Sequence, residues 1–168
     1  MRIDYFVEET PLGNAGALFH LREKIGNAPF FLLNADAAFD VDFNRMLAFH
    51  KQHGGLVTLF THPNSHPYDS GLIIADKDGH VEKWLSKEDE RPQWYNNRVN
   101  AGLHVIDPKV LELSEKNLEI DPTTGFPKDK VDLDRQVLKP LCGTGKMFCY
   151  DSPEYVKDMG TPERFHQV

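Results

Sequence analysis

The sequence predicts an α/β fold with a largely parallel central sheet. Three observations carry this expectation. Short apolar runs alternate with segments of helical spacing along the whole chain. One of them, Phe30-Phe31-Leu32-Leu33, is continuously apolar, the pattern of a strand covered on both faces. Glycine, asparagine and proline separate the segments at short intervals, and no repeat or low-complexity stretch interrupts them.

Taken in order, Ile3 to Val7 reads as a strand, and 8–13 as a loop. A helix opens near Asn14, because Ala15, Leu18, Leu21, Arg22 and Ile25 recur on one side at helical spacing, and Gly26-Asn27 ends it. The buried strand at 30–33 runs into Asn34-Ala35-Asp36. Asp42 caps a helix whose inner face carries Phe43, Met46, Leu47 and His50, and Gly54-Gly55 stops it. Leu56 to Phe60 is a second core strand, followed by a loop from Thr61 to Asp69. Gly71 to Ala75 and His80 to Leu85 flank Asp76-Lys77-Asp78-Gly79, a hairpin signal.

Lys87 to Arg98 is polar and irregular. Ala101 to Ile106 reads as a strand, and Pro108 to Leu113 as a short helix with proline in its first turn. A turn-rich loop covers 121–130. Leu133, Val137, Leu138 and Leu141 form a helical face, then Met147 to Tyr150 a strand and Tyr155-Val156 an extended piece. Thr161 caps and Pro162 starts a last helix.

The chain has 168 residues, one domain's worth, expected as a single domain over 1–168. Its net charge of -7 disfavours non-specific binding to DNA or anionic lipid. A phosphorylated small molecule remains a fitting ligand where a local cation or metal offsets the field. No apolar run approaches the roughly 18–20 residues of a membrane span. The first residues lack the apolar core of a signal peptide, so a cytoplasmic location is expected. Cys142 and Cys149 have neither disulfide-framework nor zinc spacing and read as idle thiols of a reducing compartment.

Three places could carry chemistry. Asp36 follows a buried strand, at the sheet edge where α/β proteins bind ligands, and a carboxylate there suits Mg²⁺. The competing reading is a loop or capping aspartate. Asp158 precedes Gly160-Thr161-Pro162, where glycine admits a ligand and a helix start can help hold an anion; a plain turn aspartate is the alternative. Pro11-Leu12-Gly13-Asn14-Ala15-Gly16 puts small residues at a helix entry, which suits a planar base or a phosphate, or is an ordinary helix start. Two patterns are set aside. Gly143-Thr144-Gly145-Lys146 lacks the earlier glycine, the hydroxyl residue after lysine and the following helix of a phosphate loop. His50, His53, His62 and His66 lack acidic or cysteine partners at ligand spacing.

In combination the segments resemble the sugar-phosphate nucleotidyltransferases. The resemblance rests on Pro-Leu-Gly-Asn-Ala-Gly-Ala-Leu at 11–18, Phe-Leu-Leu-Asn-Ala-Asp at 31–36 and Asn-Ala-Gly-Leu-His-Val at 100–105. It continues with Val-Asp-Leu-Asp-Arg-Gln-Val-Leu-Lys-Pro-Leu at 131–141 and Asp-Met-Gly-Thr-Pro-Glu-Arg at 158–164. Within that family the chain is most similar to the mannose-1-phosphate and heptose-1-phosphate guanylyltransferases.

The resemblance implies a Rossmann-like three-layer nucleotidyltransferase fold with a mostly parallel sheet. It implies transfer of a nucleotidyl group, GMP from GTP being favoured, to a mannose- or heptose-type sugar 1-phosphate, with pyrophosphate released. Asp36 and Asp158 would hold Mg²⁺, Gly13 would lie against the nucleobase, and Glu8 would accept from guanine, with Glu9 an equal candidate. Gly71, Ser86, Lys87, Asn100 and Gly102 fall at sugar-phosphate positions, Lys87 pairing with the phosphate. Ser86 stands where relatives often carry Glu. The family's Gly-rich loop, G-x-G-T-R-L-x-P followed by K-P, is not found in the sequence. The fold is therefore expected to be N-terminally incomplete, and activity of these residues alone to depend on that segment. The alternative is a non-catalytic sugar-nucleotide-binding or regulatory module, and a homo-oligomer is compatible with either.

Overall fold

A computed structural model describes residues 2–64, 70–166 and 168. Its strands are β1 (Phe30–Leu33), β2 (Ala37–Asp40), β3 (Val57–His62), β4 (Leu72–Ala75), β5 (Val81–Leu85), β6 (Val99–Ile106), β7 (Met147–Asp151) and β8 (Tyr155–Asp158). The α-helices are α1 (Gly16–His20), α2 (Arg22–Ile25), α3 (Phe43–His53), α4 (Lys109–Ser114) and α5 (Pro162–Phe165). Contacts group the chain into two compact units, one of residues 1–30 and 107–140, the other of 31–106 and 141–168.

The second unit carries the sheet, in the order β5-β4-β6-β3-β7, with β1 also pairing β6. β3 and β7 pair in parallel from Val57↔Met147 to Thr61↔Asp151. β6 lies antiparallel to both β3 and β4, so β3, β4 and β7 share one direction. The α/β class and the central sheet are as expected; the reversed β6 is a feature the apolar pattern does not encode. The core on one face gathers Met46, Phe60, Leu103, Val105 and Tyr150. Helix α3 presents Met46 to it and is held at its start by Asp42, which accepts from the N–H groups of Asn44 and Arg45 at 3.0 and 3.1 Å. Gly54, at φ +66°, ends the helix in the left-handed region.

Glu154 ties this helix to the sheet. Its carboxylate accepts from the Asp42 N–H at 2.7 Å and the Ser152 hydroxyl at 2.5 Å, and pairs with Arg45 at 2.9 Å. Partial burial opposes the charge, but these donors win and hold the carboxyl at about 2. The hairpin is as expected: Asp76 N–H donates to the His80 carbonyl at 3.0 Å, and the turn closes through Gly79.

The first unit is helical and loop-rich. The expected single helix after Asn14 is two short ones broken at Leu21. Leu133–Leu138 is a π-helical turn, with Leu133, Val137 and Leu138 buried. Asp132 caps it, accepting from the Arg135 N–H at 2.8 Å while its own N–H donates to Gln136 Oε1 at 2.7 Å.

One expected strand is corrected. Ile3 to Val7 forms no ladder, and Tyr5 and Val7 are each 83% exposed. Alternating residues make a strand only where a partner supplies hydrogen bonds. One strand was not expected: β2, which pairs with β8. Part of the loop expected at 61–69 belongs to β3, and 65–69 lies outside the described residues. No helix among the described residues is long and apolar enough to cross a membrane.

Candidate active site

The second unit brings Asp36 and Asp158 together. Asp36 lies between β1 and β2, and Asp158 ends β8. Strands β2 and β8 run antiparallel in register from Ala37↔Asp158 to Asp40↔Tyr155. Phe39 and Val156 pack against the core, which fixes both strands, and the Met159 N–H donates to the Asp36 carbonyl at 2.6 Å. The two carboxylates meet at Gly160. A methyl group in place of its hydrogen would sit 3.0 Å from Asp158 Oδ1 and 3.2 Å from Asp36 Oδ2. Glycine therefore keeps open the space that both acids face.

Asp158 is held in place from two sides. Its Oδ1 accepts from the Gly160 N–H at 2.7 Å, and its Oδ2 pairs with the Arg164 guanidinium. Arg164 stands on α5, which Thr161 caps by accepting from the Arg164 N–H at 3.3 Å. Two convergent carboxylates repel each other, and the Arg164 guanidinium beside Asp158 offsets part of that charge. All-oxygen donors of this kind suit Mg²⁺, which takes one or two carboxylates and completes its shell with phosphate and water. The two carboxylates present are donors that fit that ion. Among the described residues no cluster of three or more His, Cys, Asp or Glu side chains is placed to hold a metal.

A second group forms at one end of the sheet. Leu72 pairs with Leu85 of β5 and with Val99 of β6. Gly71, Ser86 and Asn100 are the next residues at these ends, so the register gathers them, with exposed Lys87 following Ser86. A Cβ on Gly71 would come within 2.7 Å of Trp84 Nε1, so only glycine fits beside the indole. The Ser86 N–H and hydroxyl both donate to Asp89 Oδ2, at 2.7 and 2.6 Å. Gly102 has φ +75°, and a Cβ there would lie 2.5 Å from Asn34 Nδ2. The Asn34 N–H donates to the Gly102 carbonyl at 2.8 Å, which joins this group to the strand leading into Asp36.

Glu8 and Gly13 belong to the first unit. Glu8 Oε2 accepts from the Leu12 N–H at 3.0 Å, so one oxygen is engaged by its own loop. Gly13 has φ +83°, and a Cβ would fall 2.4 Å from the Val131 carbonyl oxygen. That close approach is clasped by Val131 N–H to Leu12 O at 2.8 Å and Ala15 N–H to Val131 O at 3.1 Å.

Sequence reasoning singled out Gly160 but missed Asn34, Asp89 and Arg164. Asn34 and Arg164 sit inside quoted motifs, but only folding shows what their side chains touch. Asp89 lies in a polar stretch with no pattern to single it out.

Acidic oxygens at the ends of two paired strands, converging on a glycine, are set in an α/β protein. The chain belongs to the nucleotidyl transferase family, which matches residues 1–168. It is 34% identical over 167 residues to the mannose-1-phosphate guanyltransferase of Pichia angusta, covering 97% of this chain and 42% of that protein. It is 29% identical over 168 residues to the mannose-1-phosphate guanylyltransferase catalytic subunit beta of Dictyostelium discoideum, covering 98% of this chain and 42% of the relative. The chain thus spans under half the length of these relatives. Among solved structures it is similar to HddC from Yersinia pseudotuberculosis, with TM-score 0.72 and 20% identity over 98% of this chain and 64% of the other. It is also similar to a putative glucose-1-phosphate thymidylyltransferase from Bacillus anthracis, with TM-score 0.71 and 17% identity over 98% and 62%. These two likenesses establish the fold.

Proposed function

We propose that this chain carries out transfer of GMP from GTP to a mannose- or heptose-type sugar 1-phosphate. The observation that supports it most is the convergence of Asp36 and Asp158 on Gly160. The names of the guanylyltransferase relatives support the choice of nucleotide and sugar.

In the reaction an oxygen of the sugar 1-phosphate forms a bond to the α-phosphorus of GTP. The bond from that phosphorus to the bridging oxygen breaks, and pyrophosphate leaves with the electron pair. The protein's part is positioning and charge neutralisation. Asp36 and Asp158 would hold Mg²⁺, which when bound neutralises charge on the phosphates. Lys87 pairs with the sugar phosphate, and Gly71, Ser86, Asn100 and Gly102 bind the sugar-phosphate end. Gly13 lies against the base, and Glu8 accepts from the N1–H and 2-amino group of guanine.

The test is incubation of the chain, alone and with a segment bearing the Gly-rich loop restored ahead of it, with Mg²⁺ and mannose 1-phosphate or heptose 1-phosphate, with GTP, UTP or dTTP in parallel, and mass analysis of the products; turnover is expected of the loop-bearing form. GDP-sugar and pyrophosphate from GTP are expected. A UDP- or dTDP-sugar instead would overturn the guanine assignment. Tight GDP-sugar binding with no turnover and no Mg²⁺ requirement would overturn the catalytic reading in favour of a binding module.

A further inference from the structure

His104 lies on β6, four residues beyond Asn100, and is only 1% exposed. Its Nε2 is 3.0 Å from Asn100 Oδ1. The same Oδ1 lies 3.3 Å from the Gly102 backbone nitrogen. That N–H can only donate, so the amide atom it meets is the oxygen. An oxygen facing Nε2 in turn requires a proton on Nε2. The backbone of Gly102 therefore fixes the orientation of the Asn100 amide, and the amide fixes the tautomer of His104. Nδ1 makes no hydrogen bond of normal geometry among the described residues, the Leu32 backbone acting on the ring only weakly.

Burial keeps the ring neutral. It pushes His104 down to about 4, with the Leu32 backbone offsetting only part of the shift. A neutral imidazole donates through one nitrogen, and here that donor is spent on Asn100. With both lone pairs of Oδ1 engaged, the Nδ2 amine is the part of Asn100 left for a ligand. An amine is a donor, and the acceptor it suits is a phosphate or hydroxyl oxygen.

We propose that His104 is a positioning residue that holds the Asn100 amide with Nδ2 turned toward an oxygen of the sugar 1-phosphate. The proposal rests on the sugar-phosphate role of Asn100. His104 itself touches no substrate. Its neighbourhood supports the assignment. Gly102 carries the left-handed backbone, at φ +75°, that brings its N–H toward Oδ1, and Asn34 packs over Gly102 two residues before Asp36. The geometry that turns Asn100 is thus continuous with the strand that ends at the acidic pair.

The experiment has two arms. In the first, the ring nitrogens of His104 are observed by ¹⁵N NMR in the wild-type chain and in Asn100→Ala. The Nε2–H tautomer is expected, and its signal is expected to shift in the variant. An Nδ1–H tautomer, or a signal indifferent to Asn100→Ala, would overturn the proposal without touching the functional reading. In the second arm, mannose 1-phosphate is titrated calorimetrically into the wild type, Asn100→Ala, His104→Phe and His104→Gln. Loss of the donor in His104→Phe is expected to weaken binding roughly tenfold, as for one hydrogen bond. His104→Gln, which restores a donor to the same end of the side chain, is expected to recover most of the affinity. Equal weakening in both His104 variants would mean a merely structural role and overturn the proposal. Weakening in Asn100→Ala with none in His104→Phe would also overturn it. Unchanged binding in Asn100→Ala would instead overturn the sugar-phosphate role on which it rests.

Discussion

Replacing His104 with glutamine should flatten the acid limb of the chain's stability. In the folded protein burial lowers this histidine from 6.5 to about 4. The unfolded chain takes up a proton near 6.5, whereas the folded chain resists until about 4. Between those values the unfolded state binds more protons, so stability falls as pH falls. The contribution is fully present above about pH 6.5. At about 1.4 kcal/mol per pH unit, it loses roughly 2 kcal/mol by pH 5 and roughly 3 kcal/mol by pH 4. The assay is urea unfolding of wild type and His104→Gln at pH 7.5, 6, 5 and 4. The other seven histidines are common to both proteins, so the difference between the two curves isolates His104. The wild type should lose that amount relative to the variant across the series. Parallel curves would refute the reasoning, because they would mean that His104 titrates normally in the fold.

Three further outcomes are expected. Gly160→Ala places a methyl group 3.0 and 3.2 Å from the two carboxylates, so it should lower Mg²⁺-dependent turnover at least tenfold. Its effect on urea stability should stay within about 0.5 kcal/mol, since the residue is exposed. Glu154→Gln should destabilise the chain by about 1 kcal/mol at pH 7 through lost charge-assisted contacts. The wild-type advantage should fade as pH drops from about 4.5 toward about 2, the window set by its lowered pKa, as followed by circular dichroism. Met46→Ala removes a fully buried side chain from the core and should cost roughly 2–5 kcal/mol in the same urea assay.

The fold was legible where one element states its own case. Phe30–Leu33 is a strand, as its apolar run predicts, but a half-buried one with Leu33 43% exposed rather than covered on both faces, because it pairs off the main path of the sheet; the Asp76–Gly79 turn forces its hairpin, and Asp42 with Gly54 brackets α3. It was illegible where a distant partner decides. Ala37–Asp40 has two alanines and little strand preference, and becomes β2 only because β8 pairs with it from more than a hundred residues away. Ile3 to Val7 has the better strand pattern and no ladder. The site divides in the same way. Asp36 and Asp158 could each be singled out by position after a strand and before a glycine turn. Their convergence comes from the β2–β8 register, which no local signal contains. Ser86 and Asp89, or Asn100 and His104, are likewise joined by hydrogen bonds that depend on backbone direction.

Pyrophosphate release from GTP and mannose 1-phosphate, measured against Mg²⁺ concentration for wild type, Asp36→Asn and Asp158→Asn, tests the central claim most directly. Both aspartates are exposed, so both variants should unfold at nearly the wild-type urea concentration. Each should lose Mg²⁺-dependent release by at least a hundredfold, since each removes a charge that no other side chain at Gly160 replaces. Release at the wild-type rate from either variant would contradict the account.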